Sequence, residues 1–260
     1  MTPRRFSAAL TAALHVELTG HLLRSDGQED LCFAVWYPSE GAYRTSAVLH
    51  HAVLPTGDER RVHGNASFLP AYFERAVGEA MAAGGGLAFL HSHGGPGWQG
   101  MSDDDVRAEA SHAAATFGAT GLPLVGLTLG TDDAWSARAW VRTGPRRYER
   151  RWCEGVRVVG EQLRVTYHDV LRPAPRPREE LRRTVSAWGP EAQAHLARLR
   201  IGIVGAGSVG SIVAEALART GVKDVTLIDF DAVERVNLDR NLHATVGDIG
   251  RAKVRVLGDG

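Results

Sequence analysis

Along the N-terminal part of the chain, apolar residues come in short runs separated by Gly, Pro and polar clusters, the pattern of strands alternating with helices. Residues 31–37 (LCFAVWY) and 48–54 read as strands, being brief and rich in β-branched or aromatic side chains. Over 68–83 the spacing changes: Leu69, Phe73, Ala76, Val77 and Ala80 share a helical face before Gly84-Gly85-Gly86 ends it. Residues 87–90 form an apolar strand that runs directly into His91. A helix over 104–117, a buried strand over 122–129 and strands over 134–141, 157–159 and 163–167 finish a mixed sheet. The pattern predicts an α/β or α+β domain.

Between His168 and Arg183 the sequence HDVLRPAPRPREELRR alternates proline with arginine, which removes backbone donors and disfavours helix. We therefore expect a first domain at 1–168, a Pro/Arg-rich linker at 169–182 and a second domain at 183–260. In the second, a strand over 200–204, a helix over 208–219 and a strand over 225–228 make half of a parallel doubly wound unit.

Composition narrows the partners. Thirty basic and thirty acidic residues give a neutral chain, with no electrostatic footprint for nucleic acid or an anionic membrane. Neither partner is expected. Cys32 and Cys153, the only cysteines, are too few for a disulfide scaffold and suggest a reducing compartment. The apolar stretch after Arg4 and Arg5 is interrupted by His15 and Glu17 before it takes signal-peptide form, so a cytoplasmic location is expected. The basic residues are nearly all arginine, which makes the two lysines, Lys223 and Lys253, informative by position.

The segment 91–105, HSHGGPGWQGMSDDD, places two histidines at i, i+2 at the end of a strand, where alternate residues share a face and both imidazoles can meet one ion. Three protein ligands and an open position make a catalytic zinc site, and a carboxylate one loop later can complete the set. A nearby glutamate can take a proton from water, and Ser102 can hydrogen-bond a developing oxyanion.

This block resembles the JAB/JAMM (MPN) metallopeptidases, whose signature is an upstream Glu, His-x-His, seven residues, Ser, two residues and Asp. Here eight residues separate His93 from Ser102. Keeping the Ser-x-x-Asp end of the motif makes Asp105 the third ligand beside His91 and His93; keeping the total spacing makes it Asp104. We favour Asp105, because a Gly-rich loop absorbs an insertion more readily than a helix start does. The catalytic Glu of the family matches Glu29, with Glu40 as the alternative. The resemblance implies Zn2+ as cofactor and a ubiquitin-like protein as substrate.

Gly205-Ala206-Gly207-Ser208-Val209-Gly210 follows a strand and opens a helix, the context in which glycines and a helix N-terminus accept phosphate. Asp229 ends the next strand, where a carboxylate can hold ribose hydroxyls, so NAD and ATP are both supported to this point. Asp229-Phe-Asp231, Asn237-Leu-Asp-Arg240 and Gly250-Arg-Ala-Lys253 then resemble the ThiF and ubiquitin-activating adenylyltransferases. That likeness implies ATP with Mg2+ as cofactor, Asp229 on the ribose, Asn237, Arg240 and Lys253 on the phosphates, and Arg183 as a further arginine. It also implies homodimer formation through this domain. The chain stops at Gly260, before the later strands, magnesium-binding aspartate and cysteine of that family, so the unit reads as incomplete. The combined expectation is an α/β protein: a JAB/MPN-like mixed-sheet metallopeptidase domain followed by a truncated Rossmann-like, ThiF-type parallel unit. An NAD-linked oxidoreductase and an inactive module that binds a ubiquitin-like protein are the alternatives.

Overall fold

The computed structural model describes residues 5–63, 65–176 and 178–260, with side chains given for all of these but Asn65. Residues 1–4 and 64 of the first expected domain and residue 177 of the expected linker lie outside the described residues. The chain divides into two compact units, Met1–Pro173 and Ala174–Gly260, and the break falls within the Pro/Arg-rich stretch.

The first unit is mixed α/β. Its strands are β1 (Arg5–Thr11), β2 (Leu31–Glu40), β3 (Arg44–Val53), β4 (Arg60–His63), β5 (Asn65–Phe68) and β6 (Gly86–Ser92). After them come β7 (Leu124–Leu129), β8 (Trp135–Gly144), β9 (Arg147–Trp152), β10 (Gly155–Val159) and β11 (Leu163–Tyr167). Nine of these build one sheet in the order β11-β10-β1-β3-β2-β6-β7-β8-β9, and β4 and β5 pair as a separate ribbon. The β1–β3, β1–β10 and β6–β7 pairs are parallel and the others in the sheet antiparallel.

Helices cover both faces of this sheet, which is why β2 is buried on both sides over 31–36. Helix α1 (Ala12–Leu22) lays Leu14, Leu18 and Leu22 on one face, against Cys32, Ala34, Trp36 and Leu90. On the other, α2 (Pro70–Ala82) and α3 (Asp103–Thr120) bury Tyr72, Ala76, Ala80 and Ala113 against Phe33, Val35, Leu87 and Trp140. Pro70 opens α2 at a position whose N–H needs no partner. Helix α3 starts on Ser102 with three aspartates in its first turn, favourable to the helix dipole, and stops at Gly121 in the left-handed conformation.

Three elements of the first unit depart from expectation. The stretch after Arg5 is β1 running straight into α1, with no Gly or Pro to mark the junction; the Thr11 hydroxyl accepting the Leu14 N–H does that work. Strand β9 (RYERRW) is arginine-rich because it lies at the sheet edge, where most of its side chains reach solvent. The ribbon β4–β5 precedes α2 and contributes Ala66 and Phe68 to the core on that face.

In the second unit, β12 (Arg200–Val204) and β13 (Asp224–Ile228) run parallel around α5 (Ser208–Arg219), and α6 (Lys253–Asp259) follows. Ahead of them lies α4 (Arg182–Arg198), interrupted at Gly189-Pro190 by a positive φ of 88°. That break hides its periodicity from a sequence reading. No helix among the described residues is long and apolar enough to cross a membrane.

Candidate functional site

In the first unit, strand register assembles the site. Strands β2 and β6 pair antiparallel with Leu31 opposite His91. Continuing that register sets Asp30 against Ser92 and Glu29 against His93, so Glu29, Leu31, His91 and His93 share one sheet face. The continuation is held by hydrogen bonds: Ser92 N–H donates to the Asp30 carbonyl at 3.0 Å, and Asp30 N–H donates to Ser92 Oγ at 3.0 Å. On the opposite face, buried Asp30 accepts from Arg24 Nη1 at 3.4 Å and has the Arg60 guanidinium at ion-pair distance, Nε 3.1 Å away, which anchors the residue after Glu29. His93 lies just past β6, its N–H donating to the Leu129 carbonyl at 2.9 Å.

Helix α3 supplies the carboxylate. Ser102 and Asp105 form a capping box: Asp105 N–H donates to Ser102 Oγ at 3.1 Å, and Ser102 N–H donates to Asp105 Oδ2 at 2.8 Å. The box turns Asp105 inward, with Oδ1 3.6 Å from His91 Nε2 and Oδ2 3.4 Å from His93 Nε2. The two Nε2 atoms are 3.1 Å apart. One donor atom from each of the three residues lies within 4.8 Å of the other two. Asp104 lines the same cavity as these three residues but pairs with Arg107, at a side-chain exposure of 77%, and is not part of the three-residue cluster. Glu40 ends β2, nine residues beyond Leu31, on an exposed stretch.

The electrostatics suit a cation. Burial, reinforced by the Arg138 charge and only partly opposed by Asp105, holds His91 down to about 3, so its ring is neutral. Burial alone would raise Asp105, but the hydrogen bond with His93, the neighbouring His91 and both contacts from Ser102 keep its carboxyl well below the usual range. His93 is raised, chiefly by that hydrogen bond. Glu29 is raised by burial, with Asp105 adding and His93 opposing. Two imidazoles and an ionised carboxylate facing one point are a donor set that fits zinc.

These residues line a cavity of about 620 Å³. Its lining combines polar groups, Glu29, His91, His93, Ser102, Asp104 and Asp105, with the rings of Phe68, Phe73, Phe89 and His112. Cys32 and Cys153 take no part: both are buried, and burial pushes the Cys153 thiol up to about 12 and Cys32 higher still.

In the second unit, the turn 205–207 joins β12 to α5. Gly205 has φ +95°, and a Cβ at Gly210 would run into the Gly205 carbonyl, so neither position accepts another residue without strain. Around the turn, Ala206 N–H and Asp231 N–H donate to the two carboxylate oxygens of Asp229, at 2.6 and 2.8 Å. Those bonds hold Asp229 ionised, with the Asp231 amide contributing most. Lys253, at the start of α6, pairs with Asp231 at 2.8 Å. Gly205, Gly207, Gly210, Asp229, Asp231 and Lys253 thus form one neighbourhood. Asn237 instead caps its own turn, its side-chain oxygen accepting the Glu234 N–H, and Arg240 pairs with Asp239 and the Val236 carbonyl.

A glycine turn between parallel strands, closed by an aspartate, defines a nucleotide-binding class of α/β unit. Within that class, residues 180–259 match the model of the ThiF family, so the second unit is a ThiF-family domain. The chain is 43% identical over 76 residues to the tRNA threonylcarbamoyladenosine dehydratase of Escherichia coli, covering 29% of this chain and 28% of the relative. It is 40% identical over 65 residues to the SAMP-activating enzyme E1 of Haloferax volcanii, covering 25% of this chain and 24% of that one. Among solved structures, the E. coli dehydratase in complex with ATP matches at 41% identity and a TM-score of 0.31, over 32% of this chain and 34% of that chain. The chain therefore spans 28% of the length of the bacterial dehydratases that it matches.

Proposed function

We propose that the first unit is a zinc-dependent peptidase or isopeptidase of the JAB/JAMM type that acts on a ubiquitin-like protein. The observation that carries this reading is the convergence of His91 Nε2, His93 Nε2 and the Asp105 carboxylate within 4.8 Å of one another. They share a cavity with Glu29. His91, His93 and Asp105 would hold the zinc, which supplies polarisation of an amide carbonyl and activation of water. Glu29 is suited to accept the proton from that water and hand it to the leaving nitrogen, being half-buried and easier to protonate than an ordinary glutamate. Ser102 Oγ accepts from Asp105 N–H, so its own proton remains available to an oxyanion. The aromatic residues of the cavity lining would take an apolar part of the substrate.

For the second unit we infer a nucleotide site that uses ATP with Mg2+, in which the turn 205–210 receives phosphates, Asp229 the ribose and Lys253 the phosphate charge. Asn237 and Arg240 join it by turning from their present local partners. The match to the ThiF family and the likeness to an E1-type activating enzyme support adenylation of a modifier's C-terminus over hydride transfer. That chemistry gives both units one substrate, a ubiquitin-like tail, and in this reading the ThiF-type unit self-associates.

The test is cleavage of a ubiquitin-like fusion by zinc-loaded protein and its Glu29→Gln variant. Loss of a proton-transfer group should lower turnover by about 10²–10⁴-fold with zinc content unchanged. Full activity in the variant removes Glu29 from the chemistry.

A further inference from the structure

Beneath the candidate site lies a buried ion pair that the hydrolytic reading does not use. Arg138 of β8 and Glu109 of α3 both have side-chain exposures of 0%. The guanidinium meets the carboxylate in a bidentate fork, Nε donating to Oε2 at 3.0 Å and Nη2 to Oε1. Trp140 Nε1 donates to the same Oε2 at 2.7 Å. Arg138 Nη1 donates to Thr128 Oγ1, and that oxygen lies 3.4 Å from His91 Nε2. Gly126 makes room, since a Cβ there would collide with Glu109 Oε1 and Arg138 Nε.

Register explains the convergence. Thr128 is the parallel partner of His91, and Arg138 the antiparallel partner of Gly126, two residues before Thr128. All therefore face α3. On α3, Glu109 follows Asp105 by about one turn, so the two carboxylates share a helix face.

Stability is a poor reason for such a pair, because well-packed apolar replacements of buried ion pairs are often neutral or stabilising. A planar fork does something that apolar packing does not: it fixes orientation in two directions at once. We propose that the Glu109–Arg138 pair is the positioning device of the metal site, with Gly126 as its clearance and Trp140 and Thr128 as its outer contacts. It sets the rotation of α3, and so the aim of Asp105, while Arg138 holds the Thr128 hydroxyl beside His91. The inference rests on the zinc reading above.

The experiment uses the full chain and zinc alone. Zinc affinity is measured by competition with a chromophoric chelator, ligand geometry by the visible bands of the cobalt(II)-substituted protein, and folding by thermal melts. In Glu109→Gln/Arg138→Met both charges leave together, and outer partners of metal ligands are typically worth about 10–100-fold in affinity. A loss in that range with altered cobalt bands and a cooperative melt is expected, and Arg138→Lys, which keeps charge but lacks the fork, should not behave as wild type. Unchanged affinity and bands in the double variant overturn the proposal. Should that variant not fold, Arg138→Lys decides: weaker zinc binding with altered cobalt bands supports the proposal, and wild-type binding and bands overturn it. A wild-type chain that binds no zinc overturns the metal reading and this inference with it.

Discussion

Ser102 serves the first turn of α3 before it serves any chemistry. Its reciprocal bonds with Asp105 are what select that carboxylate over its neighbours. Ser102→Ala should therefore cost about 1 kcal/mol, the worth of an N-cap side chain. The same variant should weaken zinc binding, because Asp105 Oδ2 keeps a backbone donor but loses its aligned turn; unfolding curves and chelator competition read the two effects separately. Asp104→Asn should leave zinc binding unchanged, since Asp104 faces solvent and Arg107. His-x-His, Ser102 and the acidic run were legible in the sequence because they are local. Asp105 is favoured over Asp104 in the sequence because a Gly-rich loop absorbs an insertion more readily than a helix start; what residue counting does not give is the capping box that turns Asp105 towards the histidines.

At the scale of elements, β6, β2 and α3 are held in one arrangement by buried polar contacts, and removing half of one is costly. Arg138→Ala alone leaves the buried Glu109 carboxylate without its counter-charge, with only the Trp140 Nε1 donor, and should destabilise the first unit by about 3–5 kcal/mol in denaturant unfolding. The loop before α2 is tied differently. Arg75 donates to Glu59 at 2.9 and 2.6 Å and to the Leu54 carbonyl at 2.8 Å, and it holds Glu59 at about 2, below its ordinary 4.5. A depressed carboxylate stabilises the fold above its unfolded pKa and loses that contribution as pH falls through the folded one. Wild type should thus lose thermal stability between pH 4.5 and about 2 more steeply than Glu59→Gln does. Parallel acid limbs for the two proteins would contradict the tie. Elements with strong apolar periodicity, such as α2, β6 and β7, could be read from the chain. The β1–α1 junction, edge strand β9 and interrupted α4 could not: the first lacks a Gly or Pro marker, the second lacks apolar alternation, and in the third Gly189-Pro190 breaks the period. The Glu109–Arg138 pair was equally invisible, because its members come together only when α3 packs over the β7–β8 pair.

At the scale of the whole molecule, two compact units share a chain. The first carries a metal-donor cluster in a cavity, and the second a ThiF-family turn whose lysine pairs with Asp231. If the second unit takes MgATP, the nucleotide at about 100 times its Kd stabilises it by about 2.7 kcal/mol, and its melting temperature rises. NADH should produce no such shift, and Lys253→Met should abolish the shift with MgATP. A shift with NADH alone would favour the oxidoreductase alternative. The metal site of the first unit is tested by metal content, read by elemental analysis after dialysis against trace zinc. One zinc per chain is expected in the wild type and in Asp104→Asn, and none in Asp105→Asn or His91→Ala. A wild-type chain without zinc, or an Asp105→Asn chain that keeps it, would contradict a zinc site built on His91, His93 and Asp105.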